Sequence, residues 1–201
     1  MLNIAVMLNE KKERIILGID PGTAVMGYGI ILEKGNKTEL LSMGVVKMTH
    51  LDDPFLKLQR IFAKTVVLID QYKPDVLAIE APFYGKNIQV LLKLGRAQGT
   101  AIAAALSRNI SVTEYSPRKI KQSITGNGNA TKEQVAAMLQ RLLNFKETPE
   151  FLDATDGLAV AVCHSFQKVS VGGKSKTYSG WESFVSDNKA KVKGLAVKTK
   201  K

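Results

Sequence analysis

Three apolar runs rich in β-branched residues follow one another near the start of the chain, and their order constrains the fold strongly. The runs cover residues 15–20 (IILGID), 26–32 (MGYGIIL) and 39–48 (ELLSMGVVKM), and the sequences PGT and EKGNK lie between them. Such runs, bounded by Gly, Pro and Asn, are typical of strands joined by turns. We therefore predict a meander of three antiparallel strands.

Helical and strand patterns alternate after this meander. Apolar residues recur at helical spacing over 54–72 and 86–107, and each of these segments precedes a short apolar run, DVLAIEA and ISVTEYS. Ser116-Pro117 predicts the start of a short helix, and Thr131 with Gln134 predicts a capping box for a helix over 132–143. The last predicted helix covers 152–167, with Leu158, Val162 and Phe166 on one side.

This order of elements predicts an α/β fold with a mixed five-stranded sheet. Three antiparallel strands come first, β-α-β units follow, and helices cover both faces of the sheet. We expect an N-terminal extension over residues 1–14, one folded domain over 15–167 and a basic C-terminal tail over 168–201. With 201 residues, 45% of them hydrophobic, the chain has material for one domain of ordinary size.

Positive charge is concentrated at the C-terminal end of the chain. From Lys168 onward, nine lysines face Glu182 and Asp187, a net charge of +7, so 11 − 7 = +4 remains for residues 1–167. A basic segment with little apolar periodicity indicates a flexible arm. Two interpretations stay open: a solubilising tail, or an arm that binds nucleic acid by releasing counterions from phosphates.

Compartment signals are few in this sequence. Cys163 is the single cysteine, so no intramolecular disulfide can form, which fits a reducing compartment. The apolar stretches are shorter than the roughly 20 residues that a membrane helix needs. No secretory signal pattern is evident in the first residues. We predict a cytoplasmic protein without a membrane segment.

Four carboxylates stand at turning points of the predicted fold. Asp20 and Glu80 end apolar strands, and Asp153 and Asp156 lie three residues apart at the start of the last helix. Because sites in α/β sheets gather at strand ends, the fold can bring the four together. Carboxylate oxygens are the ligands that Mg²⁺ and Mn²⁺ prefer, and two such ions can promote phosphodiester hydrolysis. With its net charge of +11, the chain can attract such a polyanion.

Each acid also has a structural explanation. Asp before Pro-Gly is a common turn former, and acids in a first helical turn complement the helix dipole, which accounts for Asp20, Asp153 and Asp156 without chemistry. Glu80 is harder to explain in this way, because a carboxylate that ends an apolar strand loses hydration unless it is paired or metal-bound. Their joint occurrence in this order favours a metal site.

Four segments in order resemble the RuvC family of Holliday junction resolvases. They are IDPGTAVMGYGII, AIEAPFYGKNIQVLLKLGRAQG, EYSPRKIKQSITGNGNATKEQV and DATDGLAVAVCH, and the resemblance covers roughly residues 15–167. It implies an RNase H-like fold for that domain, a homodimer and nicking of two opposing strands of a four-way DNA junction with two Mg²⁺ ions per site. It further implies a branch-migration helicase complex as partner.

The resemblance also assigns roles to individual residues. It implies that Asp20, Glu80, Asp153 and Asp156 are the catalytic, metal-binding acids. It matches Phe83 to an aromatic that stacks on bases near the junction centre and Lys121 to a basic residue near the cleaved phosphate. We also predict DNA contacts for Lys86, Arg118 and Lys119. The helix over 86–107, with Leu91, Leu92 and Leu94 on an apolar face, is the candidate for the dimer interface.

Other functional interpretations remain on the sequence alone. An actin-like ATPase or sugar kinase also begins with a strand and a DxGT-like phosphate turn, although that fold needs two such domains. A noncatalytic junction-binding or RNA-binding module would keep the fold and the basic surface, but it would not need all four acids. Other RNase H-like nucleases share the fold. The FYGKN segment and the glycine-rich stretch before Thr131 favour the resolvase.

Overall fold

The sheet has five strands, as the sequence predicts. The structure, a computed structural model, describes residues 13–35, 37–82, 87–145 and 152–167. Within these ranges the strands are β1 (Arg14–Asp20), β2 (Val25–Lys34), β3 (Lys37–Lys47), β4 (Val76–Glu80) and β5 (Ser111–Tyr115). Their order across the sheet is β3-β2-β1-β4-β5. The β1–β2 and β2–β3 pairs are antiparallel, whereas β1–β4 and β4–β5 are parallel. The mixed sheet is therefore confirmed.

Helices cover both faces of this sheet. They are α1 (Pro54–Tyr72), α2 (Ile88–Leu106), α3 (Pro117–Thr125), α4 (Lys132–Leu143) and α5 (Leu152–Ser165). Side chains of one sheet face, such as Leu17 and Ile19, form a core with α1 and α2. Ile16 and Ile31 point to the other face and pack with α3, α4 and α5. The alternation of side chains along β1 thus divides the interior into two cores.

Side-chain caps fix the helix starts, and the caps of α3 and α4 are the predicted ones. Asp53 caps α1, and its Oδ1 accepts a 2.8 Å hydrogen bond from the Phe55 backbone N–H. Ser116 caps α3 ahead of Pro117. Thr131 and Gln134 form the predicted capping box at the start of α4. Each cap satisfies backbone N–H groups that have no partner inside the helix, so these positions fix where the helices begin.

Two predicted helix boundaries differ from the structure. The helix predicted over 86–107 begins at Ile88, because Asn87 is its N-cap and accepts from the backbone N–H groups of the first turn. The last helix ends at Ser165 and not at residue 167, so Phe166 lies just past its end and is 46% exposed, whereas Leu158 and Val162 are buried. Those two residues are buried because α5 is covered on nearly all sides, which hides its helical periodicity.

The chain divides into two units, residues 1–167 and 168–201, and every described residue lies in the first. No helix among these described residues is long and apolar enough to cross a membrane.

Candidate active site

Two of the four acids lie side by side at one edge of the sheet. Asp20 is the last residue of β1, and Glu80 is the last residue of the adjacent parallel strand β4. The β1–β4 register pairs Ile19 with Ile79, so each acid is the next residue along its own strand. Because neighbouring strands are about 4.8 Å apart, this register alone brings the two carboxylates close together.

Glycines in the sheet bring the other two acids to the same edge. In the β1–β2 ladder Asp20 pairs with Gly27, and a Cβ atom on Gly27 would overlap the carbonyl oxygen of Asp153. A Cβ on Gly18 or Gly29 would likewise overlap α5, and Gly157 of α5 lies against the backbone of β2. With no side chains in between, α5 lies directly on the sheet, so its first turn approaches Asp20.

A cavity of about 240 Å³ opens among these elements, and we call it the acid pocket. Three of the four acids line it, together with two lysines and apolar residues from α3, α4 and α5. The full lining is Asp20, Glu80, Pro117, Ile120, Lys121, Lys132, Val135, Asp156 and Ala159. The predicted cluster is therefore brought together in space, with Asp153 beside it on the first turn of α5.

Lys132 is the functional candidate that the sequence analysis missed. Its ammonium group donates to Asp156 Oδ2 and, at 3.4 Å, to Asp153 Oδ1. The Asp156 side chain is only 15% exposed, whereas Lys132 is 50% exposed, so the carboxylate is shielded from water and the ammonium group is partly open to it. The capping box at Thr131 was the available signal, because it makes Lys132 the first residue of α4.

The acids of the pocket are harder to ionise than ordinary carboxyl groups. Burial, followed by the charge of Asp156, raises the pKa of Asp20 to about 7. Burial and then the charges of Asp20 and Asp156 raise the pKa of Glu80 to about 8. Although burial opposes it, the bond to Asp156 raises the pKa of Lys132. Without a metal ion, the negative charge of the cluster is therefore reduced by bound protons and by the Lys132 ammonium group.

The donor set fits a hard divalent cation. All four acids provide carboxylate oxygens, and the mutual effects on their pKa values place them within electrostatic reach of one another. Among the described residues, no three such groups converge closely enough to hold an ion in the arrangement seen. Asp153 and Asp156 are turned toward Lys132 instead, so a bound cation would take the place of that ammonium group.

The raised pKa values of Asp20 and Glu80 predict how the stability of the metal-free protein depends on pH. The ordinary values are 3.8 for Asp20 and 4.5 for Glu80, so between these values and about pH 7–8 the folded protein binds more protons than the unfolded chain. The free energy of unfolding should therefore fall as pH rises, by about 2 kcal/mol between pH 6.5 and 8.5. Urea unfolding in EDTA across this range measures it.

His164 sets the lower limit of that pH range. Burial lowers its pKa to about 4, so its contribution makes stability rise with pH up to its ordinary value of 6.5. Comparison with Glu80→Gln, which retains His164 but lacks one raised carboxyl, isolates the acid pocket. An equally steep fall in Glu80→Gln would contradict the assignment of the effect to these acids.

The predicted basic DNA contacts lie at different places. Lys121 lines the acid pocket, and its charge lowers the pKa values of Glu80 and Asp156. Arg118 and Lys119 are exposed on α3 and do not line that pocket. Phe83 and Lys86 lie outside the described residues, so their predicted roles stay predictions.

A family model matches most of the residues that the structure describes. The family model described as crossover junction endodeoxyribonuclease RuvC matches residues 16–164. A protein of that name from Cytophaga hutchinsonii is 54% identical over 94% of this chain and 93% of its own length. Its namesake from Bacteroides fragilis is 53% identical over 93% of this chain and 100% of its own length.

A solved structure agrees with this match. It is described as Thermus thermophilus RuvC in complex with a Holliday junction substrate. It is 33% identical to this chain, covers 76% of it and 93% of itself, and superposes with a TM-score of 0.71. The match over most of the sequence thus accompanies the sheet order, the position of α5 and the order of the four acids along the chain. The chain belongs to the RuvC family of crossover junction endodeoxyribonucleases.

Proposed function

We propose that this chain is a structure-selective endonuclease that resolves four-way DNA junctions by paired, symmetric nicks. The observation that carries the proposal is the convergence of Asp20, Glu80 and Asp156 with Lys121 and Lys132 around the acid pocket. Carboxylates that can bind a divalent cation, next to ammonium groups that can face a phosphate, are what phosphodiester hydrolysis needs. The names of the relatives and of the Thermus thermophilus complex support the same activity.

The groups in the pocket support a two-metal hydrolysis. Two bound Mg²⁺ ions would supply an activated water and charge neutralisation at the leaving oxygen. Asp20, Glu80, Asp153 and Asp156 would hold these ions, which requires that Asp20 and Glu80 lose the protons their raised pKa values favour. The water oxygen would bond to phosphorus as the bond from phosphorus to the 3′ oxygen breaks, and a proton lost by the water would be balanced by one taken up by the 3′ oxygen, leaving a 5′-phosphate and a 3′-hydroxyl. Lys121 is placed to neutralise the phosphate.

Strand nicking of a labelled synthetic four-way junction tests this proposal. A linear duplex of matched sequence is the substrate control, and each reaction is run with Mg²⁺ or with EDTA. We expect paired nicks on the junction alone, and only with Mg²⁺. An intact junction that the protein nevertheless binds tightly would replace the nuclease with a noncatalytic binding module.

Substitution of Lys132 should separate two effects of its ammonium group. When Asp153 and Asp156 bind Mg²⁺, the Lys132 ammonium group is released from them and can face the phosphate. In Lys132→Met, we therefore expect the nicking rate to fall about 100-fold, because the pocket loses this cation. The apparent Mg²⁺ affinity should rise, because that ammonium no longer competes for Asp153 and Asp156. Nicking rates measured across a Mg²⁺ titration provide both quantities. Unchanged nicking rates would contradict a role for Lys132 in the reaction.

The family match weighs against the other functional interpretations. It covers residues 16–164 in one continuous span, whereas an actin-like kinase would need a second domain of this kind. A metal titration of nicking separates the enzyme from a binding module, and calorimetry with ATP tests the kinase directly. We retain a cytoplasmic location, the helicase complex, an extension before β1 and the tail over 168–201 as proposals. The extension predicted over 1–14 is one residue too long, because Arg14 is the first residue of β1 and pairs with Glu33 of β2.

We also propose that the chain acts as a homodimer through α2. Ile88, Leu92 and Leu106 lie on one exposed face of this helix at 65%, 52% and 58% exposure. Between them, a Cβ on Gly95 or Gly99 would meet no atom within 4 Å. Small residues flanked by large apolar ones allow close contact with a second copy, and a two-fold axis would present two equivalent sites to two equivalent strands.

Of the three predicted leucines only Leu92 is exposed; Leu91 and Leu94 are half-buried.

Leu92→Glu should therefore convert the dimer to a monomer. A carboxylate at the centre of an apolar interface loses hydration without a partner, so we expect the dimer dissociation constant to rise at least about 100-fold. Sedimentation velocity measures the change. Val67→Glu on α1, where the valine is 51% exposed, is the matched control. A dimer that survives in Leu92→Glu but not in Val67→Glu would place the interface on α1.

A further inference from the structure

A second cavity lies on the opposite side of the sheet from the acid pocket. It has a volume of about 220 Å³ and is bounded by the β1–β2 turn, the start of α1 and the middle of α2. We call it the basic pocket, because three of its lining side chains are cationic and one is anionic. The lining residues are Thr23, Asp52, Pro54, Phe55, Lys57, Leu58, Lys93 and Arg96.

The cations of the basic pocket are available for a ligand. Within the described ranges, no ion pair includes Lys57, Lys93 or Arg96. Lys93 and Arg96 are three residues apart on α2, so they project from neighbouring positions on the helix surface. Two adjacent cations suit consecutive phosphates of a polynucleotide, and three cations against Asp52 leave the pocket with positive charge.

Phe55 adds an aromatic surface to these cations. Its side chain is 72% exposed, the highest value among the exposed large apolar residues of the described ranges. The Asp53 cap and Pro54 at the first helical position fix the backbone from which it projects. An exposed ring beside cationic side chains is the arrangement with which proteins bind unpaired DNA, since the ring stacks on a base and the cations contact the backbone.

The basic pocket is also connected to the active site through a short turn. Thr23 is three residues after Asp20, so their Cα atoms are at most about 11 Å apart. A strand with its cleaved phosphate in the acid pocket therefore needs to extend only a few nucleotides to reach Thr23. The two cavities lie on different faces of the sheet, and each has a lining residue near the edge where β1 ends, Asp20 in one and Thr23 in the other.

We propose that the basic pocket is a second DNA-binding site, which holds an unpaired strand at the centre of the junction while the acid pocket acts on the cleaved strand. Lys93 and Arg96 contact its phosphates, and Phe55 stacks on one of its bases. The proposal rests on the proposed junction substrate. It adds a binding site on the α1–α2 side of the sheet, which none of the four catalytic acids lines.

Binding in EDTA tests the site without cleavage. The ligands are a single-stranded 12-nucleotide oligo(dT) and a synthetic four-way junction, and affinity is measured across a salt series by fluorescence anisotropy. In Lys93→Gln/Arg96→Gln, we expect about tenfold weaker binding to both ligands and a log–log salt slope smaller by about 1.4, which is two phosphate contacts to a single strand. Phe55→Leu should weaken binding about tenfold, and Phe55→Tyr should restore it.

Lys37→Gln/Arg141→Gln is the matched control, since it removes two exposed cations outside the basic pocket. We expect it to match wild type. Salt slopes that are equal in the two double variants would overturn the proposal, as would unchanged binding by Phe55→Leu. The proposal would also be overturned if sedimentation showed Lys93→Gln/Arg96→Gln to be a monomer while the control variant stayed a dimer. The pocket would then belong to the dimer interface.

Failure of the proposed function gives a different result. If the basic-pocket variants weaken binding as expected but wild type does not nick the junction with Mg²⁺, the DNA-binding site stands and the resolvase assignment falls. If wild type nicks the junction and the variants bind normally, the resolvase stands and the second site is rejected.

Discussion

Asp20→Asn should abolish junction nicking and at the same time stabilise the metal-free protein. The cleavage rate should fall at least about 10³-fold, because the substitution removes a carboxylate ligand from the centre of the acid pocket. The raised pKa of about 7 means that the ionised Asp20 side chain opposes folding above neutral pH. At pH 8 in EDTA, we expect about 2 kcal/mol of added stability and a melting temperature roughly 4–8 °C higher.

Two measurements on the same variant separate catalysis from folding. Nicking assays with Mg²⁺ report the loss of activity, and thermal unfolding in EDTA reports the gain in stability. Asp70→Asn is the control, because Asp70 is exposed on α1 and pairs with Arg108 away from the pocket. Its nicking rate should stay within about twofold of wild type. A less stable Asp20→Asn protein would contradict the cost that we infer for burying the ionised Asp20 carboxylate beside Asp156, even if activity were lost.

Gly27→Ala should damage both the fold and the active site through one methyl group. The added Cβ would overlap the carbonyl oxygen of Asp153, which is backbone and cannot rotate away. α5 must then move off the sheet, at a cost of about 3 kcal/mol in stability. Because α5 carries Asp153 and Asp156, we also expect nicking to fall at least about 100-fold. Urea unfolding and the nicking assay measure the two effects.

Gly44→Ala provides a matched strand glycine on β3. There the added methyl group would meet only the end of the Tyr28 side chain, 2.8 Å from its hydroxyl, and this ring can shift. We expect a cost below about 1 kcal/mol and nearly normal nicking. If both alanine variants behaved alike, the close packing of α5 on β2 would not be what positions the acids.

Much of the sheet could be predicted from local patterns. The meander, the parallel strand that ends at Glu80 and the capping box at Thr131 each depend on a few consecutive residues, and all three are confirmed. The position of α5 could not be predicted in this way. Its buried residues surround the helix, so the sequence contains no polar face to orient it, and its approach depends on Gly18, Gly27 and Gly29 in other strands.

The acid cluster shows the same division between local and distant information. The chemical type of each acid and its place at a strand or helix end follow from the sequence, and so does its resemblance to the family motifs. Raised pKa values for Asp20 and Glu80 follow instead from burial and from charges on other elements. Lys132 was missed for a related reason, because its partners lie 21 and 24 residues away along the chain.

Short-range signals thus suffice for the elements, the four acids and the family of this protein. Turn residues, caps and alternating apolar positions act over a few residues, so they can be recognised in one dimension. The Lys132 ion pair, the close contact of α5 with the sheet and the basic pocket join residues from separate elements. Their energies depend on distances and burial that exist only after the sheet and its helices have packed together.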